Sequence, residues 1–120
     1  MNKRRVGADK ERQAAEYLTG KGMQVLETNF RCRQGEIDLI CRHRGYLVFV
    51  EVKYRSSDQK GHALEAVDGR KQRRICRVAD SYRYLHGLGD NVSVRYDVVG
   101  IQGAEVIWVK NAFPHIYTRR

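Results

Sequence analysis

The sequence predicts an α/β protein, a mixed β-sheet flanked by helices in the order α-β-β-β-α-β-β. Three observations predict it. Two stretches place apolar residues at spacings of three and four, the period of a helix with one buried face. Five shorter stretches are rich in valine, isoleucine and aromatic residues and alternate as strands do. Gly20, Gly22, Gly45, Gly87 and Gly89 fall between these stretches, where the chain must stop or turn.

The first helix is expected over residues 7–20, with Asp9 as its amino-terminal cap and Gly20 and Gly22 closing its other end. Ala8, Glu11, Ala14, Ala15 and Leu18 share its inner face. Residues 23–30, "MQVLETNF", read as a first strand. Residues 36–42 and 46–55 form a hairpin through "HRG", where Gly45 can take a positive φ. The loop "SSDQKGH" leads to a long helix over 63–85, with Val67, Ile75, Val78, Tyr82 and Leu85 on its apolar stripe. Residues 92–101 and 105–110 are the last two strands. The second helix follows the three-strand meander and is expected to cross back over the sheet.

A chain of 120 residues, 42% of them hydrophobic and only one proline, suits one globular domain over 1–120. Twenty-three Lys and Arg against fourteen Asp and Glu give a net charge of +9. That excess attracts polyanions, nucleic acid first and an anionic membrane surface second. No apolar run approaches the roughly 20 residues that cross a bilayer. The basic start, "MNKRRVGADKERQ", has no apolar stretch after it to make a signal peptide. Cys32, Cys41 and Cys76 are odd in number and form no C-x-x-C pair, which argues against a disulfide framework or a zinc set. Reduced thiols in the cytoplasm are expected. His43, His62, His86 and His115 have no ligand spacing and read as surface or turn residues.

The hairpin carries charges where strands need none. Alternation puts Ile37, Leu39 and Cys41 on one face of its first strand, with Glu36 and Asp38 on the other. In the next strand Leu47, Phe49, Glu51, Lys53 and Arg55 share a face. A turn centred on Arg44 and Gly45 sets Asp38 opposite Glu51 and Glu36 opposite Lys53. Phe49 and Leu47 imply that this face is covered, and the first helix is the expected cover. Glu11 lies in the stripe of that helix, where a carboxylate needs a cation, hydrogen bonds or a metal. Lys71 sits between Val67 and Ile75 on the second helix and could simply snorkel. A salt-bridge network across the hairpin is the plain explanation. Four carboxylates in a strongly basic protein, however, exceed their nearby cations. An all-oxygen set of this kind suits a hard divalent cation.

With these residues in view, "GEIDLI" followed by "VFVEVKYRS" resembles the YraN-like family of small bacterial proteins. "ERQAAEYLTGKG", "ETNFRCRQGEIDLI", "GHALEAVDGRKQRRICRVADSYRYL", "VRYDVVGI" and "NAF" extend the resemblance over nearly the whole chain. That family is similar to the PD-(D/E)xK nucleases, close to archaeal Holliday-junction resolvases. The resemblance implies a restriction-endonuclease-like core and a divalent-metal-dependent phosphodiesterase acting on DNA, branched or structured DNA first. It assigns Asp38 and Glu51 as ligands of Mg²⁺ or Mn²⁺, with the Val52 carbonyl beside them. Lys53 would orient the attacking water and stabilise charge on the phosphate, and Glu11 would be the extra acid of the first helix. Glu36 occupies a position typical of the family without a clear role. Lys10 departs from the family's usual glycine before this glutamate. Arg55, Arg70, Lys71 and Arg74 are the candidate nucleic-acid contacts, with Arg73, Arg77 and the "NKRR" start as further ones. A resolvase-like role would suit a two-fold dimer. The competing readings are a non-catalytic nucleic-acid-binding module on the same scaffold and an interaction protein that docks a partner.

Overall fold

A computed structural model describes residues 3–56 and 67–117, with side chains described from residue 6 onward. Its elements are α1 (Lys3–Gly20), β1 (Gln24–Cys32), β2 (Gly35–His43), β3 (Tyr46–Arg55), α2 (Gly69–Leu85), β4 (Val94–Gln102) and β5 (Glu105–Val109). The five strands form one sheet in the order β1-β2-β3-β4-β5. β1, β2 and β3 form an antiparallel meander, β3 and β4 run parallel, and β5 returns antiparallel. The segment containing α2 makes the crossover that a parallel pair requires. Among the described residues, no helix is long and apolar enough to cross a membrane.

The helix ends differ from expectation for identifiable reasons. α1 begins before Asp9, so Asp9 is no cap and instead pairs with Arg12 one turn on, at 2.6 Å. α2 begins at Gly69. Asp68 has extended backbone angles (φ −85°, ψ 178°), and its side chain accepts the Lys71 N–H at 3.0 Å. An aspartate that satisfies a free helix N–H is a strong start signal, and it places Val67 before the helix, packed against the core. Residues 57–66, which hold the "SSDQKGH" loop after Ser56, His62 and the expected start of this helix, lie outside the described residues, as do the side chains of "NKRR".

β3 is buried on both faces, with Val48, Phe49 and Val50 at most 1% exposed. Ala14 and Leu18 of α1 pack with Leu39, Cys41, Val48 and Val50. Ile75, Val78, Ala79 and Tyr82 of α2 pack with Leu47 and Phe49 on the opposite face. The expected cover of the Leu47–Phe49 face is therefore corrected: it is α2, not α1. Both faces of this strand are apolar over residues 47–50, so alternation cannot tell which helix lies over which. The path of the β3–α2–β4 crossover decides it.

A second correction concerns β2. Leu39 joins the α1 core, yet Ile37 joins the α2 core together with Ile40. Two residues apart should mean one face, so the alternation slips across Asp38. The cause lies on the neighbouring strand. Asn29 sits between the Thr28–Leu39 and Phe30–Ile37 pairs, directly across from Asp38, with φ at 53°. Asparagine is among the few residues that adopt this left-handed conformation readily. The slip turns Ile37 toward α2 and, by alternation, Glu36 toward α1.

The β2–β3 turn matches its expectation. Arg44 and Gly45 both take positive φ (50° and 85°) between the facing pair His43 and Tyr46, the geometry that matches the twist of two paired strands.

Candidate functional site

The backbone ladder between β2 and β3 runs from His43–Tyr46 to Leu39–Val50. Continued by one step, the same register brings Asp38 opposite Glu51, as the turn predicted. There the strands stop pairing, and Asp38 Oδ2 accepts the Val52 backbone N–H at 2.8 Å. The carboxylate replaces a strand partner and is thereby fixed in place. Val52 thus reaches the site through its amide.

On the α2 side, Glu51 Oε2 lies 3.9 Å from Lys53 Nζ, with side-chain exposures of 13% and 23%. Lys71 of α2 comes close to Lys53, whose positive charge is the main cause holding the Lys71 pKa below its usual value, followed by burial. On the α1 side, Glu11, Glu36 and Asp38 each offer a carboxylate oxygen within 4.8 Å of the other two. Arg31 pairs with Glu36, and the nearby Asn29 side chain works against the rise of the Glu11 pKa. Asp38 therefore joins two acidic groups, because it stands where the sheet changes face.

This revises the expected arrangement. Glu51 and Lys53 do share a face, but Glu36 is not set against Lys53. It is clamped by Arg31 and belongs with Glu11. Lys10, the departure beside Glu11, spans over the Tyr54 ring at 4.6 Å and leaves Glu11 in the cluster.

The acids are crowded enough to shift one another. Burial is the largest cause that pushes the Asp38 pKa up to about 9, and the Glu51 carboxyl adds to it, while the Val52 N–H pulls the other way. Glu11 is also raised, by burial first and then by Asp38. Without a cation, burial and the crowding of Asp38 with Glu51 favour a proton shared by this pair. Close, partly buried carboxylates that resist ionising are a site for added positive charge.

On α2, Arg70, Arg73, Arg74 and Arg77 are exposed, while Lys71 of the same helix and Arg55 of β3 are half-buried. Arg55 follows Lys53 on the same face of β3 by alternation.

Two residues escaped the reading of the sequence. Asn29 orders the site, and its signal was an asparagine inside a strand, where that residue is depleted. Asp97 of β4 is 1% exposed. Its oxygens accept from Arg95 (2.9 Å twice), Trp108 Nε1 (2.9 Å) and the Asn111 N–H (3.0 Å). So satisfied, it pins β4 to β5 and the chain beyond. His43, expected at the surface, is buried against this network: it lies 3.0 Å from Arg95 and edge-on to Trp108. Burial and the Arg95 charge lower its pKa, so it stays neutral and can accept from the guanidinium. Cys41 is an inert buried thiol, its pKa pushed up to about 12 by burial.

A five-stranded mixed sheet between two helices, with linked carboxylates at the parting of β2 and β3 and lysines beside them, defines an α/β protein built around an acidic site. The chain belongs to UPF0102, the family to which the YraN-like resemblance pointed: the model described as "Uncharacterised protein family UPF0102" matches residues 10–101. Glu11, Asn29, Glu36, Asp38, Glu51, Lys53 and Lys71 all fall inside that span. The chain is 48% identical over 113 residues to a UPF0102 protein of Lachnoclostridium phytofermentans, covering 94% of this chain and 96% of that one. It is 46% identical over 103 residues to one from Alkalilimnicola ehrlichii, covering 86% and 82%. A Pseudomonas putida UPF0102 protein is 42% identical over 114 residues, covering 91% and 92%.

Proposed function

We propose that this protein is a divalent-metal-dependent nuclease on a restriction-endonuclease-like core, hydrolysing phosphodiester bonds in DNA, with branched or structured DNA as its substrate class. The observation that carries the reading is Asp38, held by the Val52 N–H at 2.8 Å and facing Glu51, with Lys53 3.9 Å from that glutamate.

The donor set fits a hard cation. Glu11, Glu36 and Asp38 offer carboxylate oxygens within 4.8 Å of one another, partly shielded from water. The Glu51 carboxyl stands across from Asp38 by register and adds to the rise of its pKa. Asp38 and Glu51 would hold Mg²⁺ or Mn²⁺, with Glu11 and Glu36 as the second group of acids sharing Asp38. When bound, the ion supplies Lewis acidity at the phosphate. The chain's own contribution is positional. The Val52 N–H fixes the Asp38 carboxylate, and Arg31 restrains Glu36. Lys53 sets a positive charge where negative charge grows on the phosphate, which is worth more in a partly buried site than in water. The exposed arginines of α2 and the net charge of +9 support sequence-independent contact with a phosphate backbone.

The test is cleavage of labelled linear, single-stranded, flapped and four-way-junction DNA with Mg²⁺ or Mn²⁺. Cleavage that survives purification, disappears in Asp38→Ala and falls steeply in Lys53→Ala supports the reading. Binding without cleavage under either metal, unchanged in Asp38→Ala, would replace it with a non-catalytic binding module on the same scaffold.

A further inference from the structure

Toward the carboxyl end of α2, about 10–20 Å from Lys71 along the helix axis, lies a second feature that the acidic site does not use. Arg70, Arg74, Arg77, Ser81 and Tyr84 recur at spacings of four, three, four and three, so they line one face of α2. The β1–β2 turn flanks this line. The Arg74 stem lies over Gly35, where a side chain would come within 3.2 Å of it. Ser81 Oγ donates to Gln34 Oε1 at 3.1 Å. Past these contacts opens a cleft of about 470 Å³ between the turn and the end of α2, with Arg33, Arg77, Tyr84 and Leu85 among its walls. Tyr84 is 86% exposed and Leu85 66% exposed.

The charge of the cleft is settled by its pairing. Asp80, its one acid, is taken up by Arg83 at 3.7 Å and by His115 at 3.4 Å. Among the described residues, no carboxylate is within ion-pair distance of Arg33 or Arg77. Unpaired guanidinium groups beside an exposed aromatic ring and an aliphatic edge match one chemistry: a phosphate joined to a flat base.

We propose that this cleft receives an unpaired nucleotide, its base stacked on Tyr84 and its phosphate held by Arg33 and Arg77, on a strand whose backbone follows the α2 arginines. The proposal rests on the nucleic-acid half of the function proposed above and deepens it. A duplex alone leaves Tyr84 nothing to stack on, so the cleft selects DNA with a single-stranded segment next to the duplex.

The experiment measures binding in EDTA, where cleavage plays no part. Fluorescence anisotropy compares a labelled blunt duplex with the same duplex carrying a short single-stranded overhang. The wild-type protein is expected to bind the overhang more tightly by about 5- to 100-fold, the usual effect of one stacked base. Tyr84→Ala should abolish that preference and leave blunt-duplex affinity unchanged, while Tyr84→Phe, which keeps the ring, should retain it. Equal affinity of the wild type for both duplexes would overturn the proposal. So would a Tyr84→Ala variant that keeps the preference, as a protein-docking face would give. A Tyr84-dependent preference in a protein that never cleaves leaves this inference standing and removes only the nuclease. Absence of binding to any DNA removes both.

Discussion

The backbone N–H of Val52 on β3 donates to the carboxylate of Asp38 on β2 at 2.8 Å, at the point where the two strands cease to pair. This bond ends the ladder and begins the site. A strand amide that would otherwise face a carbonyl meets a carboxylate that is crowded by Glu51 and enclosed by the fold.

The first prediction follows from that crowding. The Asp38 pKa rises from 3.8 in an unfolded chain to about 9 in the folded protein, so the folded state holds the proton more tightly. The stabilisation is complete below the unfolded value and is lost as pH climbs toward the folded one. The metal-free protein should therefore lose stability between about pH 5 and about pH 9, by at most roughly 1.4 kcal/mol per unit for this proton. Glu11, also raised, acts in the same direction. Asp38→Asn removes the titration and should flatten the slope. Thermal unfolding across that range in EDTA checks it, and identical slopes in the two proteins would contradict it.

Mg²⁺ or Mn²⁺ should reverse this trend, because a cation binds the deprotonated carboxylates and stabilises the folded state by mass action. The melting temperature at about pH 8.5 should rise with metal concentration in the wild type. In Asp38→Asn the rise should be much smaller. A metal response of equal size in both would place the ion elsewhere.

Asn29 gives a backbone prediction. Its φ of 53° lies across from Asp38 and turns the alternation of β2. Asn29→Gly tolerates the conformation but removes the polar side chain beside Glu11, so it should fold well and bind metal more weakly. Asn29→Val opposes the conformation itself and should lose at least about 1–2 kcal/mol of stability. Chemical denaturation of the two variants distinguishes backbone from side chain. Equal stability losses would mean that the left-handed turn does not matter.

How far the sequence showed this in advance depends on which periodicity was at work. The limits of β3 were legible in the valine and aromatic run, and the register of the hairpin in the position of Gly45. That register alone put Asp38 opposite Glu51 and kept Glu51 with Lys53. The placement of Glu36 failed because period-two reasoning assumes an unbroken pleat, and the break comes from Asn29 on another strand. The cover of Phe49 failed because a strand apolar on both faces does not say which helix takes which. Asp97 stayed hidden inside "VRYDVVGI", since the residues that satisfy it, Arg95, Trp108 and Asn111, come together only in the folded sheet.

Asp97 should act on stability rather than chemistry. Asp97→Ala leaves the Arg95 guanidinium, 10% exposed, without its anion. Removing one partner of a buried pair costs about 3–5 kcal/mol. Trp108 and the Asn111 amide lose an acceptor as well. Denaturation should show that loss, while the metal dependence of the remaining folded protein keeps its midpoint. A variant as stable as the wild type would mean that the network is dispensable.

The two lysines separate folding from substrate contact. Lys53 and Lys71 approach each other, and the repulsion is visible in the lowered pKa of Lys71. A like-charged pair held together in the free protein is mildly unfavourable, by a few tenths of a kcal/mol at a partly exposed site. Lys71→Gln should therefore leave stability unchanged or slightly raised. The pair becomes favourable when a phosphate lies between the two ammonium groups, so the same variant should bind DNA less well. The slope of log affinity against log salt should fall by about one, the signature of one lost phosphate contact. Lys53→Ala should also fold, yet lose about 10²- to 10³-fold in cleavage rate, because its charge is aimed at the developing one. Binding titrations over a range of salt, beside single-turnover cleavage, measure both. If Lys71→Gln lowers stability and leaves the salt slope unchanged, the two lysines are structural and the phosphate lies elsewhere.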